Sequence, residues 1–400
     1  MKCRFPIIFI LLLVIFFAPS SSPSHELSGF IAAEGRFFNS GPLLSGQQYN
    51  NGALVISPEY YHELAGGSSA TVLPFLRIDT SNDNRTLVDI RELNFLWLND
   101  GWELTVGVSR VFWGATEFVH LVDIINQTDL AGAIDGEEKL GQPMARLSVF
   151  RDWGTFDFFV LSLFRERIFP GNRDRLRPQL MVDMESAGYE SDKKSRHVDF
   201  ALRFSRTAGN FDIGIYHFTG TSREPELLPT LDLRHRPPLY LTPFYEQINQ
   251  TGLDMQMTAG GWLFKLESLY RTSRAENFFA ATGGFEYTMT GVAGSGIDLG
   301  LIGECVYGGR DDTGTTVFGN DVMLGLRLAL NDSAGSMMLL GLIEDIEHQS
   351  RVLTIEASRR IGSNWKAMVE GYLFTDIAGV DPLYGLRSDD HITLSLAWYF

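Results

Sequence analysis

The sequence predicts an all-β fold: an antiparallel up-and-down barrel of about eighteen strands that crosses a membrane, with sixteen strands as the alternative. Three observations carry this. Segments in which apolar and polar residues alternate recur through almost the whole chain. The links between them are short and long by turns. The closing residues "HITLSLAWYF" put Ile392, Leu394, Leu396, Trp398 and Phe400 in one apolar file and His391, Thr393, Ser395, Ala397 and Tyr399 in a smaller, more polar one. A period of two sends successive side chains to opposite faces of a sheet, so such a strand meets apolar material on one side and water on the other.

From the N-terminus, "MKCRFPIIFILLLVIFFAPSSSPSHELSGF" sets Lys2 and Arg4 before an apolar run from Pro6 to Ala18, followed by small residues and prolines. That is the layout of a secretory signal peptide, and the run falls short of the about 20 residues a membrane-spanning helix needs. Residues 1–24 are therefore expected to be a cleaved leader, with cleavage after Ser24 preferred to cleavage after Ser20, and residues 25–400 one barrel domain. Cys3 lies in the leader, so Cys305 remains as a single thiol and no disulfide framework is available.

Alternating segments follow near 28–38, 52–63, 70–80, 86–98, 102–113, 143–151, 155–167, 197–207, 211–219, 250–258, 262–271, 278–289, 297–307, 321–330, 336–345, 351–361, 365–374 and 391–400. In one of them Val322, Leu324, Leu326, Leu328 and Leu330 alternate with Asp321, Arg327 and Asn331. In another Val198, Phe200, Leu202 and Phe204 alternate with His197, Asp199, Ala201 and Arg203. Many have the roughly 9 to 11 residues with which a tilted strand crosses a bilayer. The even-numbered links are turn-like: "AGGSS", "NDG", "RDWG", "AGN", "AGG", "NDSAG" and "GSN". Every long link is odd-numbered: 114–142, 168–196, 220–249, 308–320 and 375–390. A soluble sandwich has no reason to sort loop lengths by parity, whereas a barrel with short periplasmic turns and long extracellular loops does. Parity also puts both ends of the barrel on the short-turn side, where the first and last strands can pair and remove the open edges a bilayer cannot satisfy.

Composition narrows the function. With 49 acidic and 33 basic residues the net charge is −16. Nucleic-acid binding, which rests on Lys and Arg neutralising phosphates, is disfavoured. The eight histidines show no HExxH spacing, and no GxSxG or comparable hydrolytic constellation is present. No cofactor or metal is expected; "GGRDDTG" at 308–314, with Asn320 and Asp321, offers oxygen ligands suited to calcium but lacks the spacing of a known calcium loop. Asn126, Asn249 and Asn331 begin N-x-S/T triplets of little meaning in a bacterial exported chain.

The export signal, the even set of amphipathic strands and the last strand ending on Phe resemble the Gram-negative outer-membrane β-barrels, over the whole mature chain. The resemblance implies a place in the outer membrane, contact with its lipid and lipopolysaccharide, and recognition of the terminal strand, Trp398 and Phe400 above all, by the barrel-assembly machinery. "SRVFWGATEFVHLVDIINQTD" (109–129) and "FRERIFPGNRDRLRP" (164–178) are similar to porin-like proteins, which brings no particular substrate.

On the inferred lumen face the strands carry Arg203, Lys265, Glu267, Arg271, Arg327, Glu356, Arg360 and Glu370, with Asp199, Asp254, Glu286, Asp298, Glu304 and Lys366. A basic residue at the bilayer midplane costs roughly 2–4 kcal/mol on the lipid face, so this spacing turns the polar files inward. These charges either line a passage for small polar solutes or pair across strands and solvate the wall. Segment 164–178 concentrates Arg165, Arg167, Arg173, Arg175 and Arg177. Folded inward they would favour anions; on an outer loop they would meet lipopolysaccharide phosphates or the nearby Asp174 and Glu166. In 114–142 the apolar "FVHLVDII" is able to dock on the inner wall as a constriction, or the segment lies on the surface. The function expected is an outer-membrane diffusion channel, not an enzyme; the alternatives are a structural or adhesive barrel with a blocked lumen and, further off, a barrel hydrolase.

Overall fold

The computed structural model describes residues 25–81, 84–234, 237–309 and 319–400. The leader with its cleavage positions and Cys3, and residues 310–314 of the acidic stretch, lie outside the described residues. The strands are β1 (His25–Phe38), β2 (Asn50–Glu63), β3 (Ser69–Asp79), β4 (Leu87–Asn99), β5 (Trp102–Ser109), β6 (Gln142–Arg151), β7 (Gly154–Leu161), β8 (Gly188–Tyr189), β9 (Asp199–Ala208), β10 (Phe211–Thr221) and β11 (Glu226–Leu231). They continue as β12 (Leu239–Tyr245), β13 (Gln247–Ala259), β14 (Trp262–Thr272), β15 (Asn277–Met289), β16 (Asp298–Gly308), β17 (Asp321–Ala329), β18 (Met337–Asp345), β19 (Arg351–Ile361), β20 (Trp365–Thr375) and β21 (His391–Tyr399).

All but β8, β11 and β12 join one 18-stranded antiparallel sheet, and it closes on itself: β1 pairs with β21 in the register Phe30↔Tyr399 to Phe38↔His391. Eighteen strands stand, not sixteen. No helix among the described residues is long and apolar enough to cross a membrane, so any crossing is made by strands. The alternation read from the sequence is the inside–outside division of the wall. Ile392, Leu394, Leu396 and Trp398 point outward, while His391, Thr393 and Ala397 are buried toward the interior. On β17, Val322 and Leu324 are outward and Met323 is fully buried.

Outward aromatics gather at the short-turn end, where Trp153, Phe156 and Phe204 form one cluster, Trp262, Phe264, Phe285 and Tyr287 a second, and Trp398 with Phe400 a third. Rings at this level suit the interface between hydrocarbon and headgroups. Pro74, which has no N–H for the ladder, sits where the β3–β4 register shifts by one residue, a bulge that absorbs it.

Three strand-level expectations change. The segment 102–113 pairs only to Ser109, because Asn126 takes over: its Nδ2 donates to Ser109 O at 2.9 Å and its Oδ1 accepts from Val111 N at 2.8 Å. The segment 155–167 ends at Leu161, where Gln142 Nε2 donates to Ser162 O at 2.7 Å and Leu163 turns to a φ of 54°. Within the long links, β11 and β12 form a hairpin that β8 joins in parallel, a small sheet at the long-loop end.

Candidate functional site

Residues 110–141, between β5 and β6, fold into the barrel. Asn126 fastens the base of this loop, its amide also donating to Leu140 O at 2.9 Å. Val122, Ile124 and Ile125 pack with Trp113 against Met144, Phe159, Leu161, Tyr216, Phe218 and Ile248, on one side of the wall. Val119 packs against Val306, Met323, Ile343, Val352 and Phe374 on another. Each of these fully buried aliphatic side chains contributes roughly 1.5–3 kcal/mol by leaving water. The apolar segment is thus divided between two stretches of wall, and the loop bridges the lumen. Phe118 lies closely over two wall residues that lack side chains: a Cβ at Gly325 would stand 3.2 Å from its ring, and one at Gly341 3.0 Å.

Two wall carboxylates hold the crossing. Glu267 of β14, fully buried, accepts at Oε1 from Ala115 N (2.7 Å), Thr116 N (3.0 Å) and Thr116 Oγ1 (2.7 Å), and at Oε2 from Val122 N (3.2 Å). Glu304 of β16 accepts from Glu117 N (2.8 Å) and Phe118 N (3.1 Å). A buried carboxylate is tolerable only when so satisfied, and here the loop's backbone donors supply the partners. Ion pairs complete the attachment: Arg327 and Lys265 reach Glu117 at 2.7 and 3.3 Å, Arg77 reaches Asp129 at 2.6 Å, and Arg91 reaches Glu138 at 3.1 Å. Burial favours the proton at Glu117, but the hydrogen bond and charge of Arg327, with Lys265, outweigh it and hold that carboxyl below its usual range.

Two cavities flank the crossing loop, and Phe118, Leu130, Ile134 and Asp135 line both. The larger, about 370 Å³, is apolar over much of its surface, with Glu117, Asp135, Glu137 and Glu356 at its rim. The smaller, about 190 Å³, is faced by charges of both signs, among them Asp123, Lys139, Arg167, Arg223 and Arg271.

The residues singled out in the sequence divide sharply between these environments. Arg165 donates to Gly141 O and pairs with Asp89, both at 2.8 Å; buried Arg167 donates from Nε to Gln127 Oε1 at 3.3 Å. Arg203 pairs with Asp254 at 2.7 Å and stacks on Trp113. Arg271 reaches Glu224 at 2.9 Å and Gln250 at 2.6 Å, and Arg327 adds Glu286 at 3.1 Å to Glu117. Arg175 is buried against Asp389 at 2.6 Å and also donates to Ser40 O and Ser388 O; Arg177 is buried on the loop's own carbonyls, and Arg173 is exposed. Arg360 lies opposite Lys366 near the short-turn end, away from the constriction. Trp398 and Phe400 face outward, and Phe400 N donates to Gly29 O at 3.1 Å across the closing seam.

Glu356 and Glu370 are different. They stand directly opposite one another on β19 and β20, both exposed within the lumen. Asp135 and Glu137 of the crossing loop are also exposed, and Tyr372, two residues on from Glu370, donates to Asp135 at 3.4 Å. No Arg or Lys among the described residues lies within ion-pairing distance of these four carboxylates; His120 stands 4.0 Å from Glu137, and Arg327 and Arg36 act on Glu356 and Glu370 by charge at longer range. Desolvation among the protein groups around the lumen, then the adjacent Asp135, raises the Glu137 carboxyl above its usual range.

Sequence reasoning misses the buried arginines Arg77, Arg85, Arg91 and Arg223 and the clasp at Asn126. Strand parity was a usable signal for Arg77 and Arg91, which fall in the inward files of β3 and β4; nothing local marks Asn126.

No family model matches the chain, and no curated protein does. Among solved structures, the chain is similar to OccK3 (OpdO) of Pseudomonas aeruginosa, with a TM-score of 0.53 at 9% identity over 94% of this chain and 96% of that one. The outer-membrane protein OmpT of Vibrio cholerae, solved in a trimer form, superposes with a TM-score of 0.48 at 9% identity over 95% of this chain and all of the other. A mutant porin of Rh. blastica gives 0.45 at 10% identity over 94% of this chain. At such identities the likeness to OccK3 concerns the fold, that of an outer-membrane barrel.

Proposed function

We propose that this chain is an outer-membrane diffusion channel for small polar solutes, and that its constriction prefers cations. Export would remove residues 1–24, the outward file would meet lipid and lipopolysaccharide, and the terminal strand with Trp398 and Phe400 would be handed to the barrel-assembly machinery. Passage needs no covalent step and no cofactor.

The observation that carries the reading is the four exposed carboxylates, Asp135, Glu137, Glu356 and Glu370, beside a cavity of about 370 Å³ with no Arg or Lys paired to them. Like charges placed directly opposite on neighbouring strands oppose each other, as Glu356 and Glu370 do, unless water or mobile cations screen them. Fixed charge at a narrow place keeps its influence on permeating ions, whereas charge farther than about 8 Å from the path is screened at physiological ionic strength. Arg165, Arg77, Arg203 and Arg175 are spent in ion pairs with Asp89, Asp129, Asp254 and Asp389, so their positive charge is largely neutralised where it stands.

The test is single-channel recording of the purified barrel in planar bilayers with a salt gradient. The expected result is a cation-preferring reversal potential that moves toward anions in Glu356→Gln/Glu370→Gln. A reversal potential unaffected by the double substitution would remove the assigned selectivity. Persistent silence of the folded barrel would favour the blocked, structural or adhesive reading.

A further inference from the structure

At the long-loop end of the barrel three metal-binding side chains converge, with a fourth carboxylate beside them on the neighbouring strand. Asp321 opens β17, Asp345 closes β18 directly opposite it, His348 lies in the turn after β18, and Asp381 lies in the loop between β20 and β21. One donor atom each from Asp345, His348 and Asp381 lie within 4.8 Å of one another. Asp345 Oδ1 already accepts from Glu347 N (2.7 Å) and His348 N (2.9 Å), which fixes the turn, and its Oδ2 meets His348 Nδ1 at 2.8 Å. Asp381 Oδ1 accepts from Leu383 N at 2.6 Å, leaving Oδ2 uncommitted.

Asp321 supplies an independent observation. It is only 3% exposed, it faces Asp345 across the strand pair within range of the charge of Asp381, and its Oδ2 has no hydrogen-bond partner. A buried carboxylate oxygen without a donor is costly, and here the neighbours are further carboxylates, with Glu347 adding another. Arg351, the closest arginine in sequence, is engaged outside the group with Glu344 and Asp376. His348 is the one cationic side chain among the described residues of this group, and it cannot offset three aspartates.

We propose that Asp345, His348 and Asp381, with Asp321 beside them, bind a divalent transition-metal ion, of the zinc class, at the mouth of the barrel. Carboxylates alone would suit calcium or magnesium, but an imidazole among them favours zinc and its neighbours. The ion would offset the negative charge that Asp321 adds beside Asp345. It would also tie the β20–β21 loop to the wall, because Asp381 caps the short helical turn Pro382–Leu386, whose Leu383 and Leu386 line the larger cavity. The donor atoms of Asp345, His348 and the loop residue Asp381 already stand within 4.8 Å of one another.

The experiment uses the full folded barrel, stripped with chelator and titrated with zinc chloride or calcium chloride by calorimetry, with metal content counted after desalting. Expected are one zinc ion retained per chain, weaker calcium binding, and zinc affinity reduced about tenfold or more in His348→Ala, in keeping with the sensitivity of metal sites to single changes in their surroundings. Asp381→Asn retains the cap on Leu383 and is expected to weaken zinc similarly, so it serves if His348→Ala does not fold. Limited proteolysis of the wild type needs no variant: zinc should protect residues 376–390 relative to chelator. A barrel that retains no zinc, binds calcium more tightly, keeps full zinc affinity without His348, or is cleaved equally with and without zinc overturns the assignment.

Discussion

The arginine-bearing part of the lumen and its acidic part look alike as lists of charged residues and differ completely in how those charges are used. Around β3, β4 and the 162–198 segment, Arg77, Arg85, Arg91 and Arg175 are all at most 5% exposed, and each has a carboxylate partner within 4 Å. Beside β19 and β20, Glu356, Glu370, Asp135 and Glu137 face open volume with no arginine or lysine of the described residues in ion-pairing distance. One region uses charge to fix loops against the wall, and the other leaves it to face whatever enters. Net charge therefore misleads about selectivity, because a buried pair is silent to a passing ion while an exposed single charge is not.

The sharpest way to break this contrast is to remove a paired charge. Arg175→Met would leave Asp389 buried and alone, and the carbonyls of Ser40 and Ser388 without their donor. Removing one partner of such a buried pair costs about 3–5 kcal/mol. We expect a lower midpoint in urea unfolding of the Arg175→Met barrel and increased cleavage of the 162–198 segment, with the reversal potential hardly moved. A clear change of selectivity with stability intact would mean that Arg175 faces the path.

The wall itself offers a second contrast. Leu326 faces the lipid side between Leu301 and Leu340, and Arg327 faces the lumen. Leu326→Arg should cost roughly 2–4 kcal/mol if it lies near the midplane. Arg327→Leu spares the lipid face but strips Glu117 of its strongest partner, so loosening of the crossing loop is expected, read as channel noise, without loss of barrel. Equal yields of heat-modifiable, folded protein from the two variants would contradict the assigned faces.

What was legible in the sequence followed from periodicity. The eighteen strands, their short turns and the outward file ending at Trp398 are consequences of a two-residue repeat that every strand must obey on its own. Docking of "FVHLVDII" was legible as a possibility, because a run of that apolarity needs a surface. Periodicity says nothing about partners across the lumen. That Asn126 ends β5, that Glu267 serves loop amides instead of a solute, and that the arginines of 165–177 meet Asp89 and Asp389, all depend on residues far away in the chain and brought near by closure. The same holds for Asp321, whose neighbours Asp345, His348 and Asp381 share no motif with it.

Acidification should weaken the cation preference, with a definite sign. Protonation removes negative charge, so the reversal potential moves toward anions as pH falls. Glu137, held above the ordinary carboxylate range by desolvation and by Asp135, takes up its proton above that range. The shift is therefore expected to begin at a pH above the usual glutamate range, and Glu137→Gln should make it smaller. A reversal potential that stays constant until ordinary carboxylates titrate would place Glu137 outside the path.

The smallest effect is expected where the sequence concentrates most positive charge. Replacing Arg165, Arg167 and Arg173 together by Ser removes three formal charges, and the sign of the outcome is fixed: less positive charge favours cations. Its size depends on pairing. Arg165 neutralises Asp89, Arg167 is buried beside Gln127 and lines the smaller cavity, and Arg173 is exposed at the outer surface, where salt screens it. Only Arg167, and the Asp89 charge uncovered by loss of Arg165, lie where a solute is affected. Asp89 also keeps Arg91 at 3.6 Å, which limits how much negative charge is released. A shift toward cations smaller than the opposite shift of Glu356→Gln/Glu370→Gln, in a triple variant that folds normally, is the expected measurement. A larger one would make the arginine segment, and not the carboxylates of β19 and β20, the element that sets what passes.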